Sequence, residues 1–90
     1  MKALFDSQFL RDINKIHDKH LKNQVQVVLD EIGEARSMKE IRNIKKLHTA
    51  RNYFRIRVGN YRIGFRLQGE TLIIERLLHR KEIYRHYPPN

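Results

Sequence analysis

The first third of the chain places its apolar residues with the period of a helix. Lys2–Phe5 is short and mostly apolar, so we expect a strand there, and Asp6 or Ser7 offers an oxygen that can cap a following helix. The polar pair Lys22-Asn23 and the later Gly33 predict a joint and a stop, and therefore two antiparallel helices. The positions at steps of three and four that we expect to face the core are Phe9, Ile13, Ile16, His20 and Leu21, then Val25, Val28, Leu29 and Ile32.

From Ile44 onward the period changes to two, which is typical of strands. Two alternating runs surround Gly59-Asn60, a pattern that predicts a hairpin with a two-residue turn. Thr71–Leu78 is apolar on both faces and should be an interior strand. Helices grouped before an antiparallel sheet predict an α+β fold, with a single domain over residues 1–90.

The predicted hairpin has one apolar face and one basic face. A two-residue turn pairs Val58 with Tyr61, Ile56 with Ile63 and Phe54 with Phe65, and these should pack on the helices. The opposite face carries Arg55, Arg57, Arg62 and Arg66, with Gly64 leaving a gap beside Arg55. Because Arg57 lies directly across from Arg62, this register creates a like-charge pair that destabilises a sheet. An anion between the two guanidinium groups would remove that conflict.

The charged side chains are distributed unevenly along the chain. Residues 1–36 have six basic and six acidic side chains, whereas residues 37–90 have thirteen basic and four acidic ones and so carry the whole net charge of +9. This asymmetry favours a polyanionic partner. The chain has no cysteine, which excludes a disulfide framework and Cys-ligated zinc. It also lacks an apolar run long enough for a membrane span or a signal peptide, so we expect a cytoplasmic protein.

A simpler explanation of the arginines is that they keep an exposed sheet face soluble and block strand pairing. If the next turn is Gln68-Gly69, Glu75 falls opposite Arg62, and a surface ion pair would explain that arginine. For each arginine alone this explanation is the better one. For the whole set, extended by Arg51 and Arg76 and without compensating acids, we favour a functional interpretation.

A second candidate cluster lies at the end of the last predicted strand. His79, Arg80 and Tyr84 bring an imidazole, a guanidinium and a phenol within six residues. Histidine can transfer protons near neutral pH, and tyrosine can do so beside cations. Taken singly, Tyr84 is equally explained as an aromatic residue at the edge of the core, and His79 as a polar residue with its hydrogen bonds satisfied. The spacing of the five histidines gives no support for a metal site.

The segments KKLHTARNYFRIRVGNYRIGF (residues 45–65) and LLHRKEIYR (residues 77–85) resemble the RelE/ParE superfamily of toxins from toxin–antitoxin pairs. The resemblance implies a RelE-like β-α-α-β-β-β fold, with a twisted antiparallel sheet packed against an N-terminal helical hairpin. RelE-type members cut mRNA in the ribosomal A site without metal or cofactor, whereas ParE-type members inhibit DNA gyrase and are not nucleases. Both kinds are neutralised by a small antitoxin, which we expect to be acidic where it meets residues 51–66. The resemblance favours the RelE-type activity because of the His-Arg-Tyr cluster, with ribosome and mRNA as partners.

The resemblance also assigns roles to single residues. Some family members have lysines where this chain has Arg55 and Arg57, and arginine cannot serve as a general base, so the base is sought at Tyr84 or His79, or the proton leaves through water. Tyr87 is a second match for the C-terminal tyrosine of the family. The expected catalytic residues are Arg57, Arg62, His79, Arg80 and Tyr84, and the expected RNA-binding residues are Lys45, Lys46, Arg51, Arg55 and Arg66.

Overall fold

The computed structural model describes residues 1–47 and 51–89, so residues 48–50 of the motif at 45–65 lie outside the described part. A strand and two helices come first, four strands follow, and a short helix ends the described chain. A single 3-10 turn, Met38–Glu40, connects the two halves. The elements are β1 (Lys2–Phe5), α1 (Ser7–Asn14), α2 (Lys19–Glu34), β2 (Ile44–Lys46), β3 (Tyr53–Val58), β4 (Tyr61–Gln68), β5 (Thr71–His79) and α3 (Ile83–His86).

The two long helices begin at aspartate caps. Asp6 accepts a hydrogen bond from the backbone N–H of Gln8 at 2.8 Å, and Asp18 accepts from the N–H groups of His20 and Leu21. The predicted joint at Lys22-Asn23 is therefore wrong, because both residues lie inside α2. The apolar period runs through them without a break, and the capping carboxylate of Asp18 decides where the helix begins.

The strands form one sheet in the order β1-β5-β4-β3-β2. The α+β class is confirmed, but the sheet is mixed, because β1 pairs with β5 in parallel while the other neighbours are antiparallel. After β1 the chain leaves the sheet through α1 and α2 and returns at the opposite edge as β2. The pairing of β1 with β5 joins the two ends of the sequence, so no local turn signal could predict it.

The hairpin of β3 and β4 has the predicted register. Phe54 faces Phe65, Ile56 faces Ile63 and Arg57 faces Arg62 across the Gly59-Asn60 turn. The apolar partners of this hairpin pack on the helices, with Ile56, Ile63 and Phe65 almost fully buried against Phe9, Val25 and Ile32. The basic side chains are thereby left on the other face of the sheet.

The turn between β4 and β5 differs from the expected one. Gln68 pairs with Thr71, so the two turn residues are Gly69 and Glu70, and a bulge near Gly64 shifts the register again. Leu78 then lies opposite Arg62 in place of Glu75. The ion pair that would have explained Arg62 as an ordinary surface residue is not formed.

The C-terminal segment, residues 80–89, folds back on the basic face of the sheet. Ile83 and Tyr87, on either side of Tyr84, are buried with Leu47 in a second, smaller apolar cluster that also includes Tyr53 and Leu78. The sheet consequently has the helical layer on one side and α3 on the other. Within the described residues, no helix is both long enough and apolar enough to cross a membrane.

Candidate nucleic-acid interface

The arginine face, defined here as Arg55, Arg57, Arg62, Arg80 and Tyr84, unites the hairpin with the C-terminal segment. β3 and β4 supply the first three residues, and the turn after β5 and α3 supply the other two. The backbone N–H of Arg80 donates to the carbonyl of Asn60 at 2.8 Å, which ties the start of the C-terminal segment to the hairpin turn. Arg80 and Tyr84 of the second predicted cluster thus share one surface with the hairpin arginines, whereas His79 of that cluster does not.

Arg62 lies at the centre of this surface. Its Nη1 donates to the carbonyl oxygens of Gly59 at 2.9 Å and Tyr61 at 2.8 Å, which hold the guanidinium beside the turn. Partial burial lowers the pKa of Arg62 below its ordinary value, and the charges of Arg55, Arg57 and Arg80 lower this pKa further, whereas Tyr84 acts in the opposite direction. Arginine stays protonated at neutral pH despite such a shift, so cations are concentrated at this point. A bound anion would relieve their repulsion.

Arg55 and Arg57 are fixed through the neighbouring loop residue Asn43. The carbonyl of Asn43 accepts from Nη1 of Arg55 and from the backbone N–H of Arg57, each at 3.1 Å. The Nε of Arg55 is buried and has no hydrogen-bond partner among the described residues. The guanidinium of Arg57 is solvent-exposed and available to a ligand.

Tyr84 is the most exposed of the large hydrophobic side chains in the described part of the chain. It is 62% exposed, although Ile83 beside it is completely buried. Ile83 is buried in the cluster that includes Leu78, the register partner of Arg62, so the segment that carries Tyr84 lies on the same side of the sheet as that guanidinium. A hydroxyl and several guanidinium groups beside one open surface can bind a phosphodiester and exchange a proton with it.

His79 is placed apart from the arginine face. It pairs with Tyr61, whose side chain packs against the helix-side core, and the two rings contact edge to face with centroids 5.4 Å apart. Its Nδ1 accepts a hydrogen bond from the N–H of Lys81 at 3.1 Å. The alternation along β5 thus directs His79 and Arg62 to opposite sides of the sheet.

Two of the seven arginines considered in the sequence have acidic partners. Arg66 contacts Glu75 at 3.2 Å, and Arg76 contacts Asp12 at 2.8 Å through Nε and 3.3 Å through Nη2. Asp12, only 8% exposed, also accepts from the backbone N–H of Leu77. The premise that the whole set lacked compensating acids is therefore wrong for Arg66 and Arg76. Asp12 is 64 residues from Arg76 in sequence, and no local pattern links them.

The remaining basic residues surround the arginine face unevenly. Lys45 pairs with Arg55 and so lies on the same side of the sheet, whereas Lys46 pairs with Phe54 and points to the helix side. Arg51 is exposed in the turn before β3. Lys45 and Arg51 thus extend the basic surface toward the β2 edge.

Tyr87, the second match for the family tyrosine, has a different environment from Tyr84. It is 3% exposed, and its hydroxyl donates to Glu75 at 2.8 Å. Burial raises the pKa of Tyr87 far above its ordinary value, and the hydrogen bond and negative charge of Glu75 raise this pKa further. Its ring lies over Gly64, where an added Cβ would come within 2.7 Å of the ring carbons. The gap that the sequence predicted beside Arg55 is therefore occupied by a neutral, fixed phenol.

The described residues contain no group of three or more His, Cys, Asp or Glu side chains that could hold a metal ion. The positive charges of the arginine face come from protein side chains. The arrangement can bind a polyanion and stabilise charge on a phosphate.

Comparison with known proteins gives a consistent result. The family described as ParE toxin of type II toxin-antitoxin system, parDE, matches residues 3–84. The chain is 39% identical over 89 residues to Toxin RelE3 of Methanocaldococcus jannaschii, with 98% of this chain and 100% of that protein covered.

Solved structures agree with this result. The fold matches a crystal structure of the RelB-RelE antitoxin-toxin complex from Methanococcus jannaschii with a TM-score of 0.80 at 38% identity, covering 94% of this chain and 99% of that one. A RelE-RelB complex from Pyrococcus horikoshii shares the fold with a TM-score of 0.71 at 16% identity, covering 91% of this chain and 97% of that one.

Proposed function

The chain belongs to the ParE toxin family of type II toxin–antitoxin systems, and we propose that it acts as an endoribonuclease that cuts mRNA in the A site of the ribosome. Its similarity to a toxin named RelE3 supports a RelE-type activity. The observation that carries the proposal is the arginine face, where Arg57 and Arg62 lie opposite each other with Arg80 and Tyr84 nearby. Cleavage of mRNA on the ribosome inhibits translation, and the protein acts in the cytoplasm.

The reaction uses the nucleophile within the RNA. The 2′-hydroxyl attacks the adjacent phosphorus while the bond from phosphorus to the 5′-oxygen breaks, which leaves a 2′,3′-cyclic phosphate and a free 5′-hydroxyl. One proton leaves the 2′-oxygen and one is added to the 5′-oxygen. The protein has to hold the phosphate, stabilise the charge that grows on its oxygens, and assist one or both proton transfers.

In this proposal, Arg57 and Arg62 clamp the scissile phosphate. Two guanidinium groups on adjacent strands can each offer paired N–H donors to the non-bridging oxygens, where charge develops in the transition state. Arg80, joined to the hairpin turn through its backbone, adds a third charge that neutralises the phosphate or assists the leaving 5′-oxygen. The metal-independent chemistry expected from the sequence is thus assigned to three arginines.

For the proton transfers, the geometry favours Tyr84 over His79. Tyr84 is exposed on the same surface as Arg62, whereas His79 lies on the other side of the sheet and accepts a backbone hydrogen bond. Tyr84 can donate a proton to the 5′-oxygen, or accept one from the 2′-hydroxyl directly or through water. We assign His79 no direct role in the chemistry.

The surrounding cations are proposed to bind the RNA backbone. Lys45, Arg51 and Arg55 border the arginine face and would contact phosphates of mRNA and ribosomal RNA. Lys46 on the helix side would contact ribosomal RNA from the sheet edge. Arg66 is already paired with Glu75, so its contribution to RNA binding should be the smallest of the five.

The same charges indicate the chemistry of the antitoxin. The similar toxin from Methanococcus jannaschii was crystallised in complex with its antitoxin. We propose that this chain is neutralised by a cognate antitoxin with an acidic segment lying on the arginine face, which would exclude mRNA by direct competition.

The decisive experiment adds the purified protein to ribosomes programmed with a defined mRNA and maps the new RNA ends. Substituting Arg57, Arg62 and Arg80 together by alanine should abolish cleavage. A control that replaces Lys15, Lys19 and Lys22 by alanine removes the same net charge from the exposed helical layer and should leave cleavage nearly intact. Cleavage that survives the arginine triple variant contradicts the assignment. Treating the toxin alone with EDTA before adding it to ribosomes should leave the rate unchanged.

The match to the ParE family favours one other candidate, a gyrase inhibitor that binds an acidic protein surface and does no chemistry. A DNA supercoiling assay run beside the mRNA assay separates the two. Inhibition of supercoiling without mRNA cleavage would establish the gyrase inhibitor and exclude the nuclease.

A further inference from the structure

Tyr84 has no anchor of its own on the arginine face. It is 62% exposed, and none of the hydrogen bonds formed by the described residues involves its side chain. Its helix, α3, comprises only Ile83–His86, which is far too short to be stable in isolation. The position of the Tyr84 hydroxyl therefore depends on whatever docks α3 to the sheet.

Two buried residues provide that docking. Ile83 comes directly before Tyr84 and is completely buried, and Tyr87 follows three positions later with 3% exposure. The backbone N–H of Tyr87 donates to the carbonyl of Ile83 at 2.8 Å, so the two anchors also close the helical turn that holds Tyr84 between them.

Tyr87 is seated in a site whose parts come from three strands. Gly64 on β4 forms the floor, Tyr53 on β3 contacts the ring edge to face at 5.5 Å, and Glu75 on β5 accepts the hydroxyl hydrogen bond. Glu75 is itself held by Arg66 at 3.2 Å. The space over Gly64 that the Tyr87 ring fills, called the notch below, lies on the same sheet face as Arg55, since Arg55 and Gly64 are register partners. Its depth is set by Gly64, because a side chain there would collide with the ring.

We infer that Tyr87, through its seat over Gly64, is a positioning residue that sets Tyr84 against the scissile phosphate. This inference rests on the nuclease function proposed above. It gives Gly64 the role of leaving room for the Tyr87 ring. It gives the Arg66–Glu75 pair the role of holding the carboxylate that accepts the Tyr87 hydrogen bond, which explains why this arginine of the basic face is neutralised beside the site.

Removal of the ring tests the inference through a split in the kinetic constants. Tyr87→Ala should lower kcat for mRNA cleavage by about 10- to 100-fold, the scale of a misplaced catalytic group. KM should change little, because the arginines that bind the RNA backbone remain in place. Tyr87→Phe keeps the ring in its notch and should retain most of kcat. A variant Tyr87→Ala that raises KM with kcat unchanged would overturn the inference.

A double-mutant cycle separates positioning from general damage to the fold. If Tyr87 acts through Tyr84, adding Tyr84→Phe to Tyr87→Ala should cost little beyond the Tyr87 change, although Tyr84→Phe alone lowers kcat. If the fold losses of kcat in the two single variants multiply in the double variant, Tyr87 acts independently of Tyr84 and the inference is contradicted. An unchanged kcat in Tyr84→Phe would contradict it as well.

Gly64→Ala provides a second perturbation that leaves both tyrosines intact. The added methyl group should expel the ring and reproduce the kinetic effect of Tyr87→Ala. Gly33→Ala is the matched control, because a Cβ at Gly33 meets no atom within 4 Å, and its kcat should equal that of the parent chain. If Gly64→Ala is as active as Gly33→Ala, the notch has no positioning role.

Docking of α3 can be followed without measuring activity. Arg85 is already exposed, but undocking should unfold the backbone around it and make it a better trypsin site. Gly64→Ala and Tyr87→Ala should therefore lose the C-terminal peptide about 10-fold faster or more under native conditions, whereas Tyr87→Phe should not. A parent chain that does not cleave mRNA overturns the proposed function together with this inference. Faster proteolysis with undiminished kcat in an mRNA-cleaving protein overturns the inference alone.

Discussion

At the residue scale, the proposed phosphate-binding pair Arg57 and Arg62 conflicts with the stability of the sheet that carries it. They face each other across β3 and β4, with Arg55 and Arg80 adding to the repulsion felt at Arg62. Like charges in direct register lower the stability of a sheet. Replacing one arginine should therefore move stability and activity in opposite directions.

For Arg57→Thr we expect an increase of about 0.5 kcal/mol in the free energy of unfolding, because the repulsion is removed and threonine favours strands. Cleavage of mRNA should fall by about 10²- to 10³-fold, the usual effect of losing one transition-state donor. Urea denaturation at low ionic strength measures the first quantity and the ribosome assay the second. A loss of stability greater than about 1 kcal/mol, beyond the range of cross-strand effects, would refute the account of the pair.

Asp12 illustrates the opposite case, a buried charge with a structural task. Its carboxylate binds the Arg76 guanidinium and the backbone N–H of Leu77, and so joins α1 to β5. Asp12→Ala should lower the free energy of unfolding by about 3 kcal/mol, because it leaves Arg76 partly buried without a counter-charge. Asp30→Ala, which removes an exposed carboxylate bound to Gln26 on α2, should cost only about 0.5 kcal/mol. Equal losses in the two variants would show that the Arg76 ion pair is not structural.

At the element scale, α3 and the sheet depend on each other. A helix of four residues persists only because its two anchors are buried against β3, β4 and β5. The same contact covers the centre of the sheet face that the α1–α2 layer leaves open. The C-terminal segment therefore belongs to the core as much as to the site.

Docking of α3 should weaken at alkaline pH because Tyr87 of the unfolded chain then loses its phenol proton, and the Tyr87→Phe variant should lack this effect. Its pKa is raised in the folded protein, so the contribution of the neutral phenol is complete below the ordinary tyrosine pKa of about 10. Above that pH the unfolded chain loses its proton first, and the free energy of unfolding falls as pH rises. At neutral pH, Tyr87→Phe should be less stable by about 1 kcal/mol, the usual value of a lost hydrogen bond. The difference between the two proteins should shrink above pH ~10. Denaturation curves from neutral to alkaline pH test this, and a constant difference would count against the buried hydrogen bond with Glu75.

At the scale of the whole molecule, the boundary between the neutral and the basic part of the sequence coincides with the boundary between the helical half and the half that forms most of the sheet. The helical half, residues 1–36, has no net charge, while residues 37–90 carry the net charge of +9. The sheet separates the two, with the helical layer on one side and the arginine face on the other. The molecule thus has a basic side, which suits a polyanionic partner, and a side without net charge.

Binding to ribosomes should accordingly weaken steeply as salt increases. Removing Arg55, Arg57 and Arg62 together should reduce the slope of log K against log salt concentration by about 2, if each contacts one phosphate of single-stranded RNA. The variant lacking Lys15, Lys19 and Lys22 should keep the slope of the parent chain. Filter binding or sedimentation across a salt series measures both slopes. Identical slopes for the two triple variants would rule out the arginine face as the phosphate-binding surface.

The sequence by itself determined the features that depend on neighbouring residues. The alternation in residues 53–66 and the Gly59-Asn60 turn specify the hairpin, its register and the Arg57–Arg62 pair, because a two-residue turn leaves only one pairing in which the apolar side chains share a face. The motifs in residues 45–65 and 77–85 were sufficient to indicate the toxin superfamily to which the matching family and the similar toxin belong.

Only the tertiary structure decided which of the candidate residues come together. The parallel pairing of β1 with β5, the Asp12–Arg76 ion pair and the seat of Tyr87 over Gly64 join segments that are distant in sequence. The turn at Gly69-Glu70 and the bulge near Gly64 together moved Glu75 away from Arg62 and beside Arg66 and Tyr87. Local propensity contains no information on such contacts, because packing across the sheet and the burial of charge determine them once the chain has folded.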